Sequence, residues 1–137
     1  MKKVCFLIVA LFLPLTAMAD VAVIVSKSSP LSTVDLSELE KLYLGKTNSL
    51  GGQSVSAINQ VDSSEVTTEF NRAVLNKSNS QVKAYWSKLV FTGKGTPPKE
   101  FDGDAKVLQA IQIDDKAIGY VDSGAVTGDV KVLTTLK

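Results

Sequence analysis

The spacing of apolar positions changes period several times along the 137-residue chain. Val21 to Val25 is an unbroken valine-rich run bounded by SKSSP, which predicts a strand buried on both faces. In DLSELEKLYLG the period becomes helical: Leu36, Leu39 and Leu42/Tyr43 share a face. Asp35 stands at the cap with Glu38 at the capping-box spacing, and Gly45 supplies the stop.

After the turn-rich KTNSLGGQ, Val55 to Ile58 predicts a second strand, followed by a helical face of Val66, Phe70, Ala73 and Val74 with Asn76 near its end. A further helix starts near Ser78, with Gln81 at the capping-box spacing and a stripe of Val82, Tyr85/Trp86 and Leu89. The helical period of these aromatics favours the core over the alternative, a ligand cage. FTGKGTPPKEF reads as an ordered loop, because its two glycines widen the backbone choices and its two prolines narrow them. DAKVLQAI predicts a short helix through Val107, Leu108 and Ile111, capped by Asp102 or Asp104. AIGYV and VKVL predict strands separated by DSGAVTGD. The sum is one α/β domain with a parallel or mixed sheet flanked by helices, Trp86 in its core, and no internal repeat.

The first residues obey a different pattern. Lys2 and Lys3, the apolar run Cys5 to Leu15, and Ala17-Met18-Ala19 before Asp20 have the order of a secretory signal peptide cleaved after Ala19. The expected organisation is therefore a leader at 1–19 and a single exported domain at 20–137. Cys5 is the only cysteine and lies in that leader, so the domain would hold neither a disulfide nor a cysteine site. Without the leader, 13 Lys or Arg face 14 Asp or Glu, with no basic block of the kind that binds nucleic acid.

The chemistry concentrates in INQVDSSEVTTEF, residues 58–70. Asp62, Ser63, Ser64 and Thr67 fall at the start of the predicted helix, where free amides, the helix dipole and hydroxyls can hold a small oxyanion. Asp62 would repel a fully ionised ligand but could accept a proton from a partly protonated one. The competing reading is a plain helix start, with Asp62 and Glu65 at the capping-box spacing. Lys94 and Lys99 beside the Gly/Pro loop could draw in an anion, although GKGTPPK lacks the GxxxxGK[ST] spacing of a phosphate loop. Histidine is absent, which removes histidine-dependent triads and zinc motifs. Carboxylate pairs such as Glu38/Glu40 and Asp114/Asp115 read as solvated faces. The expectation is a non-enzyme without catalytic residues, metal or cofactor.

Taken together, SPLSTVDLSELEKLYLGK, INQVDSSEVTTEF, AVLNKSNSQVKAYWSKLVFTGKGTPPKEF and KAIGYVDSG resemble the phosphate-type branch of bacterial periplasmic substrate-binding proteins. The resemblance covers almost all of 20–137 and implies a single lobe of the type 2 periplasmic-binding-protein class. It also implies phosphate or another small oxyanion as ligand, an ABC transporter permease as partner, and a homo-oligomer if two copies share a site. The family's segment resembles R-x-D-G-S-G-T-T. Against it, Gln60 takes the place of the Arg, Asp62 matches the Asp, Ser63 replaces a Gly, Ser64 matches the Ser, Glu65 and Val66 replace Gly and Thr, and Thr67 matches the last Thr. The implied ligand contacts are thus Gln60, Asp62, Ser63, Ser64 and Thr67. Glutamine lacks the charged fork of arginine, and Glu65 adds a carboxylate. The alternative is a degenerate substrate-binding lobe acting as a structural or protein-interaction module.

Overall fold

The computed structural model describes residues 20–137, and the expected leader at 1–19 lies outside the described residues. Strand β1 (Val21–Ser26) leads into helix α1 (Leu36–Tyr43), followed by β2 (Ser49–Leu50), β3 (Gln53–Ser54) and β4 (Ser56–Gln60). Helix α2 (Glu65–Phe70) runs into a π-helical turn at Asn71–Leu75, and α3 (Asn79–Phe91) follows. The chain then forms β5 (Lys99–Phe101), α4 (Asp104–Gln112), β6 (Ala117–Asp122), a single 3-10 turn and β7 (Val130–Leu136).

The sheet is mixed, in the order β5-β4-β6-β1-β7. β4 runs parallel to both β5 and β6, whereas β1 is antiparallel to its neighbours β6 and β7. All six residues of β1 are buried, as its apolar run predicts. Because side chains alternate across a pleated strand, Val21, Val23 and Val25 enter one core with α1, α2 and α3. Ala22 and Ile24 enter a second core with α4 on the opposite face. Gly119 lies where a side chain would collide: an added Cβ would stand 2.8 Å from Ile58 and 3.2 Å from Val107.

The helices begin and end largely as their sequences imply. Ser78 and Gln81 make a complete capping box on α3. Asp35 caps α1, but its carboxylate accepts from the Ser37 amide. Gly45, at φ +74, closes α1 with its amide on Leu42 O and the Lys46 amide on Lys41 O, the paired bonds of a Schellman end. Its open Cα face abuts Trp86, which is 7% exposed and belongs to the core.

Several elements differ from the sequence expectation. KTNSLGGQ contains a small hairpin, β2 to β3, turning through Gly51 and Gly52, both at positive φ. KEF within the Gly/Pro loop pairs with β4 as β5. The cap of α4 is Gly103, at φ +96; Asp104 is its first helical residue and turns its carboxylate elsewhere, as described below. The predicted helix through Val74 widens to π geometry after Phe70, ending at Asn76 in the left-handed region.

Candidate functional site

β4, β5 and β6 run in one direction, so their carboxyl ends collect at one end of the sheet, the usual place for ligands in open α/β sheets. There Gln60, the last residue of β4, is 1% exposed. Its Nε2 donates to Asp104 Oδ1 at 2.7 Å and to Tyr120 O at 3.0 Å, and its Oε1 accepts from Ser64 Oγ at 3.2 Å. Asp104 Oδ1 also accepts from the Asp122 amide at 3.2 Å. One carboxamide and one carboxylate therefore tie the ends of β4 and β6 to the starts of α2 and α4.

Thr67 is equally committed. Its hydroxyl donates to Val61 O at 2.9 Å and stands 3.3 Å from the Tyr120 hydroxyl, which also accepts from the Gln60 amide at 3.3 Å and contacts Asn59 Oδ1. Behind this polar layer the Tyr120 ring stacks on Phe70 with centroids 4.0 Å apart, and Tyr43 meets Phe70 edge-on at 4.6 Å. Tyr43 donates to Ile58 O at 2.8 Å. Burial holds the Tyr120 hydroxyl up at about 12 and raises that of Tyr43 well above its ordinary value, because neither phenolate could be solvated.

The loop in front is open. Asp62 and Ser63 are exposed and Ser64 is half-buried. Ser64 occupies the cap position of α2 without a side-chain bond to the helix. The Asp62/Glu65 capping box is thus not formed, since the helix starts two residues later than that pairing requires. The first-turn amides of α2 carry no side-chain cap.

A cleft of about 700 Å³ runs from this loop along α3. Asn59, Gln60, Asp62, Thr67, Asn71 and Asn79 form its polar wall, and Val82, Trp86, Val90, Phe91, Pro97 and Pro98 its apolar wall. Lys83 and Glu100 are the charged groups besides Asp62. Of the sequence candidates, Gln60, Asp62 and Thr67 line this cleft; Ser63 and Ser64 stand outside its lining, as does Lys94. Lys99 lies instead over the Phe101 ring, 5.3 Å from its centroid.

Sequence reasoning missed Asn59, Asn71, Asn79, Asp104 and Tyr120. Asn71 carried a readable signal, since it falls four residues after Thr67 and three before Val74, on the buried face of the helix. Its Nδ2 donates to Asn79 Oδ1 at 2.9 Å, while Asn79 Nδ2 donates to Asp62 O and Thr68 Oγ1. Asp104 and Tyr120 are distant in sequence and meet Gln60 only through the sheet order.

No family model matches the chain, and no curated protein matches it by sequence. Solved structures do match its fold. A protein from Clostridium perfringens, described as a phosphate ABC transporter substrate-binding protein and solved with bound phosphate, aligns at TM-score 0.66 and 18% identity over 85% of this chain and 46% of its own. An ABC-type phosphate transport receptor from Vibrio cholerae aligns at 0.65 and 15% identity over 85% of this chain and 47% of its own. PstS from Borrelia burgdorferi aligns at 0.62 and 16% identity over 87% of this chain and 49% of its own. The fold is accordingly that of the phosphate-type substrate-binding proteins, α/β with a mixed sheet flanked by helices. The chain spans about half the length of the structures it matches.

Proposed function

We propose that this protein binds phosphate or a related small oxyanion and serves ABC-transporter uptake in the periplasm. The observation that carries the reading is the loop 61–64. It leaves the carboxyl end of β4 in a phosphate-binding-protein fold and opens a helix whose first amides no side chain caps. The contacts are the hydroxyl of Ser63, that of Ser64 once it releases Gln60 Oε1, and those amides, with Asp62 accepting the proton of a partly protonated oxyanion. Gln60 and Thr67 serve from behind: their bonds to Asp104, Tyr120, Val61 and Ser64 fix the loop. The leader at 1–19 would deliver the protein to that compartment, and a permease or a second copy would be its partner.

Calorimetry of the folded protein against phosphate and sulfate tests this. Binding that weakens about tenfold in Ser64→Ala, the loss of one charge-assisted hydrogen bond, is the expected result; absence of heat with either ion overturns it. A second reading, a protein-interaction module, is favoured by Phe91, which is 92% exposed at the end of α3. Its mark would be affinity for a purified permease that Phe91→Asp abolishes and Ser64→Ala leaves intact.

A further inference from the structure

The cleft is poorly matched to a bare mineral ion. Its volume of about 700 Å³ falls in the range that encloses organic ligands of many atoms, roughly 300–1,000 Å³. One whole wall is apolar, and at its outer end Val90 is 53% and Phe91 92% exposed. A four-oxygen ion at the loop would leave that surface wet. The charges select the protonation state: Asp62 and Glu100 outnumber Lys83 in the lining, which disfavours a dianion more than a singly charged head.

Asn71 adds an independent constraint. It lines the cleft at 2% exposure, and its Oδ1 has no hydrogen-bond partner. The side chain cannot be turned to hide this. Asn79 Nδ2 must donate to the carbonyl of Asp62, so Asn79 Oδ1 faces Asn71 and requires a donor there. Asn71 Oδ1 is left as an acceptor in want of an O–H or N–H, and an unpaired buried acceptor is costly.

Resting on the oxyanion reading of this same site, we infer that the ligand is an organic oxyanion: a singly protonated phosphonate- or phosphate-ester-type head with an aromatic or branched apolar body. The head lies at the Asp62–Ser64 loop. The body lies against Trp86, Val90, Phe91 and the Pro97-Pro98 corner. The single P–OH of this head is taken by Asn71 Oδ1, and Asp62, exposed at the loop, then receives none.

Trp86 is the only tryptophan of the chain, so its emission reports on the apolar wall directly. The folded protein is titrated in mildly acidic buffer with phenylphosphonate, inorganic phosphate and benzyl alcohol, by fluorescence and by calorimetry. Burying a phenyl ring should make phenylphosphonate bind about ten- to a hundredfold more tightly than phosphate. Phe91→Ala, an exposed position that leaves the core intact, should weaken phenylphosphonate severalfold. Phosphate binding as tightly as phenylphosphonate would overturn this inference and leave the oxyanion reading standing. Benzyl alcohol binding as tightly as phenylphosphonate, or no binding by either anion, would overturn both.

Discussion

Gln60 is the most heavily hydrogen-bonded side chain at the end of β4. Both of its amide protons and its carbonyl oxygen are spent on Asp104, Tyr120 and Ser64, so its side chain holds the loop. Gln60→Leu would strand Tyr120 O and one acceptor of Asp104, and an unfolding free energy lowered by about 1–3 kcal/mol, read from urea denaturation, is expected. Tyr120 and Tyr43 set the alkaline limit. A protonated phenol is neutral, so burial makes the folded state hold protons that an unfolded tyrosine releases near 10.0. This stability is fully present below that value and is lost as pH rises through about 12. Phenolate absorbance and circular dichroism should therefore change together in that window, and Tyr120→Phe should reduce the dependence. The loop of Asp62, Ser63 and Ser64 was legible as a loop between strand and helix, because a polar cluster after a strand is a local signal. Asp104 and Tyr120 were not, because their meeting with Gln60 is made by pairing across the sheet.

The elements were most readable where caps and periods agree. Ser78 and Gln81 frame α3 as their spacing implies, and Ser78→Ala should cost about 1 kcal/mol in thermal or chemical unfolding. Gly45 is tied twice, by its left-handed backbone and by the approach of Trp86 within 2.7 Å of an added Cβ. Gly45→Ala should cost more than the cap substitution, about 1–3 kcal/mol, with a shift in Trp86 emission as the ring is displaced. What escaped the sequence were short elements. β2, β3 and β5 have two or three residues each, too few to show a period. The π turn at Asn71–Leu75 also keeps the composition of an ordinary helix while changing which side chains face inward.

Across the molecule, two cores on opposite faces of one sheet meet at β1, whose alternate residues serve both. Only the class of this arrangement was legible, since a strand buried on both faces implies layers but not neighbours. The neighbours of β1 are β6 and β7, from the far end of the chain: Val21 lies opposite Asp122 on one side and Leu136 on the other. That pairing governs the timing of folding. β1 stays without partners until β6 and β7 are available, so its two pairings are the long-range step of the fold. Such long-range closure slows folding. Stopped-flow refolding followed at Trp86 should show a single late phase that Val23→Ala slows if β1 docks in the transition state. A chain cut before Ala117 would therefore leave β1, buried on both faces in the finished fold, with no strand to pair.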